Sequence, residues 1–478
     1  MVYASAKGLQ NVRVQNLASM VRVLGDHVDD NGYMSASSQK LPNPYRPYYP
    51  CWYRDLSNVL MSLTDIYSFG KRHYPKFMSA EIGEARVLSS KLLGFSWGSV
   101  AQHLDRIRAG VNTPLEDAAA FRSLACHIGA RVGPNGALLE MQRDDLTITD
   151  TDNGKNQGLR QYDTLPLLFL SAERYIAAFG IGEADAAVRV ISKNAGLFLD
   201  YLAKIYKTEC FNVWEMDGHM VHSYDVAAIH RGIRSLQRIS RAAGVQIDEE
   251  KAERTLADID DFLRLHFIRN GILYKAKNVF GKDGGFETDP VPAVDAAAIL
   301  VFNYFTPPCI TKDVEMRTMR EIEEKLVGEY NFYPVRYNMH PDHVDRYFYG
   351  GRWALLGHEQ AVWYLKNGMA EKAERILQYT ENKYFFNGSR LLPEQEFVDP
   401  ASPGSDPEGY YARNGNRMIP DLAWSEASYA NAAIASLEGA ARGNSMGVAL
   451  SALAHLLRPA ASIRSSLRPS TTQTSSIV

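Results

Sequence analysis

The sequence predicts an all-helical protein arranged as a two-layer toroid of six helical hairpins, an (α/α)6 barrel. Apolar residues recur at i, i+3, i+4 and i+7 through about a dozen segments, while the period-two alternation of half-buried strands is almost absent. Some segments are apolar on every side and others on one face only, which predicts an inner and an outer layer. A chain of 478 residues, 46% of them hydrophobic, can bury a large core. No repeat of fixed period is visible, so the pairing into hairpins comes from counting helices.

In chain order, helices are expected to begin near Asn11, Trp52, Pro75, Pro114, Asp163, Asp185, Tyr224, Asp248, Ala293, Lys312, Gly351, Ala370 and Ala423. After Asp55, residues Leu56, Val59, Leu60, Leu63, Ile66 and Tyr67 line one helical face, and Gly70 ends the run. The span 249–265 is amphipathic, with its charges on one side. The span 294–305 is apolar apart from Asp295 and Asn303, as an inner helix requires. Long Gly-, Pro- and aromatic-rich connections at 29–51, 143–160, 210–223, 278–292, 330–351 and 385–420 are where chemistry is expected. The helical domain is read as residues 1–442. Residues 443–478 form a tail with an apolar run at 448–457 and a Ser/Thr-rich end whose last dozen residues are expected to be disordered.

The formal charge of -3 leaves no basic stripe for phosphates, so a nucleic-acid partner is not expected. No stretch of 18 apolar residues occurs, and the residues after Met1 show neither an apolar h-region nor a small-residue cleavage site. A soluble, unexported, cytoplasmic protein without a membrane partner is the expectation, and the sequence is silent on oligomeric state. Cys51, Cys126, Cys210 and Cys309 stand singly, so they are read as buried free thiols rather than zinc ligands or disulfides. Aromatic residues make up 11% of the chain; they serve large cores and also stack on the C–H faces of sugars.

Cleaving a glycosidic bond takes a protonated carboxyl group for the leaving oxygen and a second carboxylate to attack or to activate water. Two glutamates in aromatic- or Pro-rich loops are candidates. Glu215, in Val213-Trp214-Glu215-Met216, has an apolar collar that favours its protonated form, as a general acid needs, while the neighbouring Asp217-Gly218 suits a turn or cap. Glu394, in Leu392-Pro393-Glu394-Gln395, follows a rigid proline and suits a positioned base; an ordinary solvated turn is the alternative there. In Trp52-Tyr53-Arg54-Asp55 an adjacent donor and acceptor could hold neighbouring sugar hydroxyls beside an aromatic wall, or form a surface ion pair.

In their order these blocks resemble glycoside hydrolase family 15, the glucoamylase family, from about Tyr48 to Glu438. The resemblance rests on Trp52-Tyr53-Arg54-Asp55, Gln161-Tyr162-Asp163, Val213-Trp214-Glu215, Asp295-Ala296-Ala297, Arg336-Tyr337 with Gly350-Gly351-Arg352-Trp353, Pro393-Glu394-Gln395 and Leu422-Ala423-Trp424-Ser425. It implies an (α/α)6 barrel and hydrolysis with inversion, releasing β-glucose from the non-reducing end of an α-glucoside. Glu215 would be the acid and Glu394 the base. Arg54 and Asp55 would hold the terminal glucose, with Trp52, Trp214 and Trp424 as walls and Asp163 and Arg336 completing the site, and no metal or other cofactor is implied. Met216 replaces the family's frequent second glutamate, which implies an altered leaving side. The N-terminal β-sandwich of bacterial members and a starch-binding module are not expected, so a small oligosaccharide or disaccharide is the implied substrate. A trehalase or an inverting disaccharide phosphorylase would share the fold, though a phosphorylase needs no base at Glu394 because phosphate attacks directly. A non-catalytic carbohydrate-binding toroid is the reading outside enzymes.

Other signals are weaker. Asp150-Thr151-Asp152-Asn153-Gly154 lacks the carboxylate a calcium loop needs at its twelfth position, occupied by Gln161. His219, His222 and His230 show no zinc-protease spacing, and the glycines of 280–286 lack the Gly-Lys-Ser/Thr of a phosphate cradle.

Overall fold

A computed structural model describes residues 6–37, 51–121, 126–137, 160–214, 220–278, 294–328, 332–336, 352–386, 391–393, 395–396 and 421–441. Its helices run in order as α1 (Ala6–Gly25), α2 (Tyr53–His73), α3 (Ser79–Gln102), α4 (Leu104–Asn112), α5 (Ala118–Phe121), α6 (Thr164–Phe179) and α7 (Asp185–Ile205). They continue as α8 (Ser223–Ala242), α9 (Glu249–His266), α10 (Ala297–Leu300), α11 (Lys312–Ile322), α12 (Ala354–Lys366), α13 (Ala370–Thr380) and α14 (Ala423–Ala441). Three of them, α10, α11 and α13, pass into π-helical turns at Val301–Phe305, Glu323–Val327 and Glu381–Phe385.

Helices α2, α6, α8, α10, α12 and α14 form a closed inner ring, each packed on the next and α14 packed back on α2. The outer helices alternate with them along the chain: α3 packs on α2, α7 and α9 on α8, α13 on α12 and α1 on α14. The all-α toroid predicted from the sequence is the observed architecture.

Inner helices are buried nearly all round, as at Thr164 to Ala172 of α6. Outer α9 buries one stripe, Ala252, Thr255, Leu256, Ile259, Phe262 and Leu263, and leaves its charges to solvent. Two glycines allow close approach between ring elements. A Cβ on Gly232 of α8 would lie 2.8 Å from Pro166 of α6, and one on Gly357 of α12 would lie 2.1 Å from the Tyr333 ring.

Several helix starts fall where the sequence puts them. The Asp248 carboxylate caps α9 by accepting from the Lys251 N–H at 2.8 Å, and Thr311 caps α11. Others differ. The first helix is described from Ala6, ahead of Asn11, and the Pro75 start moves to Ser79 because Tyr74 N–H closes the end of α2 on the Gly70 carbonyl and Met78 N–H then closes a separate turn on the Tyr74 carbonyl. Within the described residues the Pro114 segment yields the single turn α5, after a break at His103 that sets off α4. Ala293 lies outside the described residues, and its helix is described from Ala297.

Short antiparallel ladders join the loops: β1 (Cys51–Trp52) with β2 (Arg131–Val132), β3 (Met220–His222) with β6 (Ala276–Asn278), β4 (Ile268–Arg269) with β5 (Ile272–Leu273), and β7 (Arg352–Trp353) with β8 (Gln395–Glu396). Strands β1, β3 and β7 lead directly into inner helices α2, α8 and α12. All four cysteines are free; Cys51, Cys126 and Cys210 are buried as expected, but Cys309 is only partly so, because it sits in the connection between the π turn after α10 and α11. Among the described residues no helix is long and apolar enough to cross a membrane.

A buried ionic clamp ties the outer layer to the ring. Arg13 of α1 donates to both carboxylate oxygens of Glu381 at 2.7 and 3.1 Å and to both of Glu374 at 2.8 and 2.9 Å. It also donates to Ser436 of α14 at 2.7 Å, and the Tyr429 hydroxyl of α14 donates to Glu381 at 3.0 Å.

Burial holds three imidazoles neutral: His127 and His358 are pushed down to about 3 and His230 to about 4. His358 sits between the hydroxyls of Ser428 and Thr380 at 3.0 and 3.1 Å. A depressed folded-state value means that the unfolded chain takes up the proton first. The stability each group contributes is therefore complete above about pH 6.5 and is lost as pH falls toward the folded value. Urea unfolding of the wild type and His358→Gln should show their stability difference shrinking by roughly 1 kcal/mol per pH unit below about pH 6; a difference independent of pH would remove this account.

Candidate active site

All six inner helices begin at the same end of the ring, and an α-helix N-terminus presents unsatisfied N–H groups and the positive end of its dipole. The residues singled out from the sequence lie at those starts. Trp52, Arg54 and Asp55 open α2, Asp163 precedes α6, Trp424 is in the first turn of α14, and Trp214 and Arg336 come from connections that fold over the ring. All seven are buried. Glu215 and Glu394 lie outside the described residues, as do Met216, Asp217, Gly218, His219, Tyr337, Gly350, Gly351, the spans 150–154 and 280–286, and the tail 443–478.

The adjacent Arg54 and Asp55 do not pair as a surface ion pair would. Arg54 Nε donates to Asp163 Oδ2 at 2.8 Å, and Nη1 donates to the Val213 carbonyl at 2.7 Å. The Tyr224 hydroxyl of α8 also donates to Asp163 Oδ2, at 3.2 Å. Three helix starts are thus locked through one carboxylate. The guanidinium lies 5.7 Å from the Trp424 ring, so its orientation is set before any ligand arrives. Behind this cluster, burial first and then the facing Asp163 push the Asp225 carboxyl well above its usual range.

The segment leading to Glu215 is anchored from several sides. Phe211 N–H donates to the Arg160 carbonyl at 2.9 Å, and Gln161 Nε2 donates to the Asn212 carbonyl at 3.1 Å. The Asn212 side chain accepts from the Trp214 N–H at 2.9 Å. The Trp214 indole N–H donates to Asp295 Oδ1 at 2.8 Å, and its ring lies 5.2 Å from that of Trp353. Arg336 covers both rings, 5.7 Å from Trp214 and 5.0 Å from Trp353.

Residues flanking Glu394 are tied to the same end. The Pro393 carbonyl accepts from the Ser425 hydroxyl at 3.0 Å, the Leu392 carbonyl accepts from the Leu422 N–H at 2.9 Å, and Gln395 pairs across from Trp353. On the other flank Arg131 lies 5.1 Å from the Trp52 ring. A pocket lined by Asn212, Val213, Tyr224, Lys275, Asp295 and Ala297 opens beside Trp214.

Sequence reasoning missed Trp353, Asp295, Tyr224 and Asn212 as site residues. Trp353 and Asp295 stood inside blocks already noted, whereas Tyr224 had no signal beyond the start of a helix. Of the two described histidines, His222 Nε2 meets the Cys210 carbonyl at 3.1 Å, and His230 is buried within α8. Among the described residues no three His, Cys, Asp or Glu side chains lie together as a metal site would require.

No known family model matches this sequence, and no curated protein is similar to it. Solved structures are. A glycosidase variant in complex with glucose superposes with a TM-score of 0.64 at 19% identity, covering 89% of this chain and 97% of that chain. The family 15 glucoamylase of Hypocrea jecorina gives a TM-score of 0.54 at 14% identity over 91% of this chain and 72% of its own. The glucoamylase of Hormoconis resinae gives 0.51 at 15% identity over 90% and 74%. At these identities the likeness is one of fold, the (α/α)6 toroid of glycosidases.

Proposed function

We propose that this chain is a glycoside hydrolase of the glucoamylase type, an exo-acting, inverting α-glucosidase that releases β-glucose from a soluble oligosaccharide or disaccharide. The observation that carries the proposal is convergence. Trp52, Arg54, Asp55, Asp163, Trp214, Arg336 and Trp424 are scattered over most of the sequence and are gathered at one end of the inner ring. The fold shared with glycosidases supports the same reading.

In this mechanism the terminal glucose lies against Trp52 and Trp424, with Arg54 and Asp55 on its hydroxyls. Because Arg54 is already fixed by Asp163 and Val213, holding the sugar costs little further ordering. Glu215 gives its proton to the glycosidic oxygen as the C1–O bond breaks. Water attacks C1 from the opposite face and passes a proton to Glu394, so the product is β-glucose and the leaving saccharide departs with its hydroxyl restored. Room for that water puts the two carboxyl groups about 6.5–9.5 Å apart.

The test is incubation with maltose, isomaltose, trehalose and maltotriose, with and without phosphate, following the released anomer by proton NMR. Phosphate-independent β-glucose is the expected product and names the linkage. Glucose 1-phosphate would replace the proposal with a phosphorylase, and binding without turnover would replace it with a carbohydrate-binding toroid.

A further inference from the structure

His27 is fully buried in the turn that follows α1, with an acceptor against each ring nitrogen. Nδ1 lies 3.2 Å from the Ser35 carbonyl, which can only accept, so Nδ1 carries a proton. Nε2 lies 3.2 Å from Oε2 of Glu426, itself fully buried in the first turn of α14. A neutral imidazole has a single N–H, so with Nδ1 protonated its Nε2 lone pair would face a carboxylate. The contact is attractive only with a proton between the two groups, carried on the ring or on the carboxyl.

The loop that holds His27 is tied to α14 at two further points. Residues 26–37 double back on themselves, Ser35 N–H donating to the His27 carbonyl at 3.1 Å and Val28 bridging Met34. The Ala36 carbonyl accepts from the Ala423 N–H at 3.0 Å, and the Ser37 hydroxyl donates to Asp421 Oδ1 at 3.1 Å. Side chains two apart on a helix point to different faces. Trp424 accordingly meets the Arg54 guanidinium while Glu426 meets the loop. The loop thus backs the turn that carries the Trp424 wall.

Burial works against a charged His27, yet Glu426 and then Asp421 outweigh it and raise its value. Burial, and more weakly Asp421, raise the Glu426 carboxyl too, in spite of His27. Other titratable groups around the loop are Asp26, Asp29, which accepts from the Asn31 and Tyr33 N–H groups, and Asp30, paired with Lys91 of α3 at 3.1 Å. Glu84 of α3 lies beside Gly25, and β1 adds the Cys51 thiol, which burial keeps protonated.

From this geometry we propose that His27 is a positioning residue for the Trp424 wall: the proton it shares with Glu426 latches the 26–37 loop to the first turn of α14, and losing that proton loosens the turn. The latch stands on contacts alone; its bearing on sugar binding rests on the hydrolase reading. An open latch puts His27 in water, where it releases its proton at about pH 6.5. The closed latch holds the proton to higher pH, so the advantage of the closed form is complete below about pH 6.5. It then falls by up to about tenfold per pH unit until the folded value is passed. This is the opposite direction to His358.

Hydrogen exchange tests the latch, read by mass spectrometry on peptides covering 33–37 and 422–437 and corrected for the intrinsic rate. Wild-type protection there should fall by on the order of tenfold between about pH 6 and pH 9, while peptides from α6 keep theirs. His27→Gln and Glu426→Gln each remove the titrating contact, so protection in both should be independent of pH over that range. A merely structural role would lower protection equally at every pH. Wild-type protection independent of pH, or variants that keep the wild-type dependence, would overturn the proposal.

Calorimetry with glucose reads the positioning role. Wild-type affinity should weaken by about several-fold over the same range, and that of Glu426→Gln should change far less. Affinity that holds while the latch opens would overturn that role. Glucose bound at no pH would instead reject the hydrolase reading, and the positioning role with it, and leave the latch to stand on its exchange.

Discussion

Glu215→Gln and Glu394→Gln should each lower kcat on the preferred α-glucoside by on the order of 10²- to 10⁴-fold while leaving thermal unfolding unchanged, because each removes one proton-transfer partner and alters little volume. The substrates separate the two roles. Glucosyl fluoride needs no proton on its leaving group, so Glu215→Gln should retain much of its activity there. Glu394→Gln should not, because the water attacking C1 still has to lose a proton. Near-normal turnover by either variant on maltose would reject that residue's assignment, and a glutamine at 215 that impairs both substrates equally would reject the division of labour.

The second large effect concerns stability. Arg13→Met should destabilise the fold by about 3–5 kcal/mol, because it leaves the buried Glu381 and the half-buried Glu374 without their cation. Burial alone would push Glu374 up, yet the Arg13 guanidinium outweighs it and holds this carboxyl below its usual value. Deeper in, burial wins at Glu381, which titrates above its usual value in spite of the same guanidinium. Urea unfolding at pH 7 measures the loss. Adding Glu374→Gln and Glu381→Gln to Arg13→Met should restore part of it, since neutral amides are far less costly to bury than unpaired carboxylates. A loss below about 1 kcal/mol, of the size of an exposed pair, would show that the clamp does not bear on folding.

How much of this was readable beforehand follows from what periodicity can carry. Layering was readable, because a helix surrounded by other helices must be apolar all round and one at the surface need not be; α6 and α9 show the contrast. Capped starts such as Asp248 were readable because the signal is local. The two-residue ladders were not, since two residues show no alternation, and neither were the π turns ending α10, α11 and α13.

For the candidate site, the sequence names motif residues but not the partners that hold them. Arg54 was read beside Asp55, its neighbour in sequence, whereas its partner Asp163 lies 109 residues away. Asp295 looked like an interruption in an apolar helix until the fold brought the Trp214 indole to it. Pairings of this kind belong to three-dimensional proximity, which a single sequence does not encode in any local pattern.

Closure of the inner ring has a consequence for how the protein is made. α14 packs against α2 and α1, helices from the opposite end of the described chain, and carries the Trp424 wall beside Arg54. At roughly 5–20 residues per second, ribosomes take tens of seconds to get from Trp52 to Trp424. Throughout that interval the nascent polypeptide is an open arc, with the flank of α2 that will meet α14 still bare. Such a flank is what chaperones hold and what aggregates in their absence, so yield from a cell should respond more to chaperone supply than the stability of the finished ring would suggest.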